Sequence, residues 1–421
     1  MHDREFIIAN RNLIEKICSL KKTKVDIERL YSLIEERRLL INRLNQLRED
    51  KNKLTDEVPK IKKQGGDIKP LLEKSKEISL TVGEIEKQLG NAEKEENTLM
   101  SWVPNILEKD VSTENDAIFK VIKETGTLNE KNRNYYDICT EKNYIDFKRG
   151  AKLAASSFPL YVGKGALLER TLINFMLDLH IEKHGYLEIF PPFLVNYNSL
   201  YSTGQLPKME EDMYSLSKED NLYLIPTAEV PVTNIYNDEI LFEKDLPKKF
   251  TAYSACFRRE AGSYGKETKG LKRLHQFNKV EMVRYSHPDK SDEALEEMLL
   301  EAEEVLRLLG LSYRVILLPG NDTSFSSAKT YDIEVWAEGT KEYMEVSSVS
   351  NFLDFQARRA NIRFKNKDGK NTFIHTLNGS GLATPRTVIA IIEHYQTEDN
   401  DFEFPPVLRD YIKYGKEIFK S

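Results

Sequence analysis

Cysteine is scarce: Cys18, Cys139 and Cys256 are the only three in 421 residues, far apart and with no CxxC. That pattern argues against a disulfide framework or a thiolate zinc site and fits a reducing compartment. The seven histidines include no HExxH and no metal-ligand spacing. No apolar run approaches the ~18 residues of a membrane span, and the charged opening MHDREFIIAN has no signal-peptide core. A soluble, cytoplasmic chain is therefore expected. Familiar nucleotide loops are missing too. The glycines of GSYGKET lie three apart where GxxxxGKS/T needs five, and GKGALL lacks the third glycine of a dinucleotide fingerprint. Nor does one sign of charge dominate. Against 62 basic residues stand 68 acidic ones, net −6, which excludes attachment to nucleic acid by bulk charge but leaves room for a local basic surface.

What is present falls into two textures. From Leu30 to Ile61, spacings of three and four carry an apolar seam through Leu33, Leu40, Leu44, Leu47, Leu54 and Val58, interrupted only by Arg37 and Lys51. A second series runs from Leu71 through Ile78, Val82, Ile85, Leu89 and Ala92 to Leu99, with Ser75 and Glu96 as its polar members. Heptads sustained this far signal a coiled coil. KKQGGD between them suits a helix–helix turn, so the helices should fold back antiparallel, with Pro59 expected to kink the first near its tip. This predicts an N-terminal helical domain over 1–104, with an arm at about 28–100, followed by a second domain over 105–421. On its own such a hairpin serves equally well as a spacer or dimerisation element. The basic residues of its first helix, among them Arg37, Arg38, Arg43, Arg48 and Lys51, would also suit a phosphate backbone.

Beyond residue 105, helix-like stretches (GALLERTLINFMLDLHIEKHG, SDEALEEMLLEAEEVLRLLG, TPRTVIAIIEHYQ) mix with strand-like ones (FTAYSACF, LHQFNKVEMVRY, TYDIEVWA, EYMEVSSVSNF). They do not alternate regularly, so the predicted fold class is α+β, an antiparallel sheet flanked by helices. Charges sit on those strands. Residues two apart share a strand face, which groups Arg258 with Glu260, Arg273 with Phe277 and Glu281, and Thr227 with Glu229. If the strands beside GSYGKETKG pair as a hairpin, one sheet surface offers guanidinium forks for phosphate, an aromatic face for a base and carboxylates for donors. Each residue alone fits an ordinary ion pair or core position. Together, on strands where unpaired polar groups are costly, they mark a nucleotide site.

FRREAGSYGKETKGLKRLHQFNKVE resembles the second signature motif of class II aminoacyl-tRNA synthetases, in the FRxEAGxxGxxTxGLxRxHQFxKVE form of the seryl-tRNA synthetase family. GYLEIFPPFLVN resembles the first motif, whose proline (Pro191 or Pro192) lies at a dimer interface. GQLPKMEEDMY and IPTAEVPVTN resemble the serine-pocket region, EVSSVSNFLDFQARR the metal- and ATP-binding strand, and LNGSGLATPRT the third motif, ending at Arg386. The resemblance spans essentially the whole chain. It implies activation of L-serine by ATP to seryl-adenylate and pyrophosphate, then transfer to the 3′ end of serine tRNA, and of selenocysteine tRNA where a host has one. A homodimer and no membrane partner are implied.

Residue by residue, the resemblance gives Arg258 the serine carboxylate and α-phosphate, and Glu260 the adenine amino group. Phe277 and Arg386 take the two adenine faces, and Arg386 also reaches the γ-phosphate. Arg273 helps hold the triphosphate, Leu274 supplies backbone contacts, and Val346 and Ser347 complete the ATP-binding stretch. Arg259 belongs to that stretch by position, although its parity turns it away. Glu345 and Ser348 resemble ligands of a Mg²⁺ bound with ATP; because their parity differs, their convergence needs a bulge or strand end. Thr227, Ala228 and Glu229 lie near the serine ammonium, while Glu281, Asn378 and Ser380 close around the hydroxyl. Neither zinc nor an organic cofactor is implied. Two rivals remain at this stage: a paralogue that loads a carrier protein, and a catalytically inactive coiled-coil relative. YYDICTEKNYIDFKRG departs from the family by lacking its usual histidine-tryptophan.

Overall fold

The computed structural model describes residues 1–131, 133–217, 219–261 and 270–417; the glycine-rich loop 262–269 lies outside the described residues. The chain divides into two compact units, Met1–Pro104 and Asn105–Ser421. Among the described residues no helix is long and apolar enough to cross a membrane.

In the first unit, α1 (Ile27–Lys63) and α2 (Lys69–Met100) form the helical hairpin. The Asp26 side chain caps α1 by accepting from the Arg29 N–H at 2.9 Å, and Pro70 sits in the first turn of α2, where its missing donor costs nothing. Between them Gly65 adopts φ +71°, and the Gly66 N–H returns to the Ile61 carbonyl. Pro59 does not end α1, which continues to Lys63. Leu44, Leu47, Ile78 and Ile85 are buried along the seam, flanked by Leu40, Leu54, Val82 and Leu89.

The polar seam positions meet as well. Glu96 is fully buried and takes Arg4 as an ion partner, with Arg37 Nε 3.9 Å from its second oxygen. Arg37 also donates to Glu93 at 3.0 Å, and Arg48 reaches Glu86 at 2.8 Å. These guanidiniums therefore tie the hairpin together instead of forming a free basic face. The reason is position: Arg37 occupies the seam itself and Arg48 adjoins Leu47, so both extend towards α2. Arg38 pairs with Glu35 on its own helix at 3.6 Å. Among the described residues, no ion pair engages Arg43 or Lys51.

The second unit is built on an eight-stranded sheet: β1 (Lys120–Thr125), β2 (Leu187–Glu188), β3 (Lys248–Phe257), β4 (Gln276–Ser286), β5 (Tyr313–Leu317), β6 (Lys329–Ala337), β7 (Glu342–Asn351) and β8 (His375–Ala383). Their spatial order is β1-β5-β6-β7-β8-β4-β3-β2. All pairs are antiparallel except the two-residue edge strand β2, which lies parallel to β3. Helices α3 (Lys164–Glu182), α4 (Ser291–Leu308) and α5 (Thr384–His394) share a core with the sheet through Leu168, Met176, Leu295, Met298, Ile389 and Ile391. On β4, Val280 and Met282 join that core, whereas Val283 and Tyr285 join a second one on the opposite face. Lys279 and Glu281 share the parity of this second set, so a strand that reads as apolar delivers two charges to its far side.

The buried Glu96 cluster is the weak point of the hairpin seam. Glu96→Ala leaves two guanidiniums without their shared acceptor and is expected to cost roughly 1–3 kcal/mol. Loss of the exposed Glu49 partner of Lys53 should leave stability nearly unchanged, because solvent screens that pair. Urea unfolding followed by helical circular dichroism separates the two; equal losses would show that the seam cluster contributes nothing special.

Candidate active site

A cleft of about 580 Å³ opens on the sheet face carrying those charges. Strands β3 and β4 form the expected hairpin, with Cys256 opposite Phe277 and the Arg258 N–H continuing the ladder to the His275 carbonyl at 3.0 Å. Arg258 sits just past β3, its guanidinium 5.2 Å above the Phe277 ring and its Nε 3.4 Å from the Pro226 carbonyl. It thus touches both the aromatic wall and the segment leading to Thr227. Glu260 adopts φ +53° beyond the strand end and accepts from Arg273 at 3.0 Å. Across the cleft, Arg386, in the first turn of α5, donates to the Glu345 carbonyl at 2.7 Å. Leu274 and Val346 complete this wall. Among the described residues the lining carries five cations, Arg258, Lys272, Arg273, Lys279 and Arg386, a concentration suited to a polyanion.

Glu281 is fully buried, behind the lining and not on it. Its carboxylate accepts from Thr227 Oγ1 at 2.6 Å and Asn378 Nδ2 at 2.9 Å, and it is ion-paired with Lys279. Ser380 stands opposite it in the β8–β4 register. Three donors occupy a group with about four acceptor positions, which leaves room for one further hydroxyl. Lys279 escaped the sequence reading, although it lies between Phe277 and Glu281 on the same strand face and the parity rule would have found it.

Thr227 and Glu229 reach the cleft by a different route from the one expected. The strand before them ends at Leu224, and Glu229 opens a short helix, Glu229–Thr233, its N–H bonded to Thr227 Oγ1 at 3.1 Å. Pro226 and Pro231 interrupt any strand ladder here, so helix-start geometry, not strand alternation, brings the pair together. Burial, and secondarily the nearby Glu281, pushes the Glu229 carboxyl up to about 7. Gln356, another residue the sequence did not single out, donates to it at 2.7 Å.

The parity conflict between Glu345 and Ser348 is resolved by a bulge. Glu345 faces Glu334 and Ser347 faces Ile333, so the register slips between them and Ser348 Oγ comes 3.4 Å from Glu345 Oε1. Ser348 also donates to Asp332 at 2.5 Å. Burial, followed by the proximity of Glu345, drives the Asp332 carboxyl well above its ordinary range. Asp332 stands directly opposite Ser348 in the ladder, a relation that only the strand register reveals.

Besides Glu281, three residues of the expected set do not present side chains to the cleft. Ala228 packs into the second core against residues such as Phe250 and Val283, because the chain there turns into the short helix. Ser347 is the residue flipped inward by the bulge, its hydroxyl donating to the Ser380 carbonyl at 2.7 Å. Arg259 is absent from the lining, as its parity implied, and its N–H bonds to the Asp212 carbonyl.

Residues 1–107 match the seryl-tRNA synthetase N-terminal domain, and residues 213–395 match the class II tRNA synthetase core domain of the G, H, P, S and T enzymes. A serine–tRNA ligase of Caldicellulosiruptor bescii is 47% identical over the full length of both chains. The chain belongs to the seryl-tRNA synthetase family. A serine–tRNA ligase of Chloroherpeton thalassium is 45% identical over 98% of this chain and 99% of its own. Among solved structures, the seryl-tRNA synthetase of Pyrococcus horikoshii complexed with ATP superposes with a TM-score of 0.92 at 34% identity, covering 98% of each chain. The class II fold, an antiparallel sheet flanked by helices with an N-terminal helical region, is therefore this protein's fold.

Proposed function

We propose that this chain joins L-serine to tRNA in two steps, with residues 105–421 as the catalytic domain and residues 1–104 supplying the tRNA-binding arm. One observation carries the reading: a single cleft holds both a guanidinium-over-aromatic platform and a buried carboxylate ringed by Thr227, Lys279 and Asn378, with Arg258 touching both sides. The full-length agreement with serine–tRNA ligases supports it, and neither a carrier-loading paralogue nor an inactive relative is favoured by any feature of the site.

In the first step, the serine carboxylate oxygen attacks the α-phosphorus of ATP. The bond to the bridging oxygen breaks and pyrophosphate leaves. In the second, the terminal ribose hydroxyl of tRNA attacks the seryl carbonyl and AMP departs. No side chain becomes covalent. Arg258 stabilises charge on the α-phosphate and the attacking carboxylate, while Phe277 and Arg386 hold adenine between them. Arg273, Glu260 and the backbone at Leu274, Val346 and Ser347 fix the nucleotide. Glu229 meets the serine ammonium, and Glu281, with Asn378 and Ser380, accepts the hydroxyl.

The oxygen donors Glu345 and Ser348 fit a Mg²⁺ carried in with ATP, a hard cation that takes one or two protein oxygens and completes its shell with phosphate and water. Bound there, the ion would neutralise phosphate charge. A homodimer is part of the same reading, supported by the exposed apolar side chains of Leu187 and Phe190 beside Pro191 and Pro192. On the arm, Arg43 and Lys51 are the better phosphate contacts, because Arg37, Arg38 and Arg48 already have carboxylate partners.

Three outcomes test this. In ATP–pyrophosphate exchange, serine should outrun alanine by roughly 10⁴-fold, because without the hydroxyl the Glu281 pocket keeps an unpaired acceptor. Glu281→Gln should cut serine kcat/KM by about 10²-fold with the ATP KM unchanged; a variant that activates serine normally would remove Glu281 from the pocket. Second, because Glu229 takes up a proton below about 7, serine KM should rise about tenfold from pH 8 to pH 6 and be flat in Glu229→Gln. A flat wild-type profile would separate Glu229 from the ammonium. Third, Arg43→Glu with Lys51→Glu should leave exchange intact, weaken tRNA charging and lower the log–log salt slope by about 1–2. An unchanged slope would place the tRNA elsewhere.

A further inference from the structure

Glu169, on α3, is a buried carboxyl group outside the cleft lining, and nothing in the two-step reaction uses it. Its Oε1 receives Asn278 Nδ2 at 2.8 Å and is hydrogen-bonded to the Thr384 hydroxyl. Asn278 follows Phe277 on β4, and its own Oδ1 is held by the Tyr253 hydroxyl at 3.0 Å. Thr384 opens α5, two residues before Arg386. One carboxyl oxygen therefore ties together the two elements that carry the walls of the proposed adenine slot.

Thr384 Oγ1 donates to Glu169 Oε1 and lies 3.1 Å from the Asn278 carbonyl, so the hydroxyl sits between the carboxyl group and the β4 backbone. The other Glu169 oxygen, Oε2, is buried without a partner, and no described cation faces the group, an environment hostile to a charge. Burial also raises its proton affinity, in the same direction.

The structure assigns Glu169 the role of a positioning residue for ATP: a buried carboxyl group that pins β4 to the start of α5 and so sets the spacing between Phe277 and Arg386. The assignment rests on the reading above that adenine lies between those two side chains.

Equilibrium dialysis of ATP without serine tests it, because that measurement depends on the nucleotide slot and not on which amino acid is activated. Serine-dependent pyrophosphate exchange reports separately on the functional reading. Glu169→Ala and Thr384→Val are each expected to weaken ATP binding by roughly 10–10²-fold, the scale of an ångström-level misplacement, with serine KM changed less than about twofold. Glu169→Gln, whose amide oxygen can still accept from both Asn278 and Thr384, should stay within about threefold of wild type. Native ATP affinity in folded Glu169→Ala, or a loss in Glu169→Gln as large as in Glu169→Ala, overturns the assignment. Should Glu169→Ala fail to fold, the near-isosteric Thr384→Val decides: native affinity overturns, weakened affinity supports.

Discussion

A carboxylate with no solvent exposure is tolerable inside a sheet only when donors converge on it, and the Glu281 site is arranged around that requirement. Lys279 from the same strand, Thr227 from a helix-start turn and Asn378 from β8 all meet there. Removing any one would leave buried charge or polarity uncompensated, so the cluster fixes how three separate segments approach one another. In the serine pocket proposed above, the same requirement would confer selectivity. Donors that balance Glu281 without saturating it create a site whose last acceptor is satisfied by a hydroxyl and by nothing a methyl group offers.

Electrostatics at the nucleotide wall follow a different logic. Here the cations remain half-exposed: Arg258 stacks on Phe277, Arg273 hydrogen-bonds Glu260 at 3.0 Å, and Arg386 stands 3.6 Å from the Glu345 carboxylate. Those contacts keep the guanidiniums extended without neutralising the wall. Glu345 is doubly placed, pairing weakly with Arg386 on one side and approaching Ser348 on the other. The bulge that brings Ser348 round also turns Ser347 inward, so one inserted residue both assembles the proposed ion site and anchors β7 to the Ser380 carbonyl. A regular ladder could do one or the other.

Much of this was legible in the sequence because it obeys local periodicity. The heptad seam, the β3–β4 hairpin and the shared face of Phe277 and Glu281 all follow from spacings of 3.5 or 2. The misses have two distinct causes. Lys279 was readable and passed over, since it obeys the same rule as its neighbours. Asp332, Gln356 and Glu169 were not readable, because each acts across a register or a helix–sheet packing that no single segment encodes. Thr227 and Glu229 line the cleft through a local structure other than the expected one: prolines on both sides replaced strand alternation with a helix start. Ala228, between two cleft-lining residues on such a turn, points into the core.

The arm carries a parallel lesson about charge. Counting basic residues along α1 marks a polyanion-binding face, yet a coiled coil built from oppositely charged helices first spends its cations on itself. Arg37 falls in the seam and Glu96 falls in the seam opposite, so the two positions that looked like flaws in the heptad pattern complete each other. Guanidiniums at or beside the seam reach α2 at little conformational cost, whereas Arg43 and Lys51 have no described carboxylate within reach. A nucleic acid approaching this hairpin would therefore meet a sparser set of cations than composition implies. Sparse phosphate contacts position without reading sequence, so the role proposed for this arm would rest on the shape of the RNA rather than on charge density.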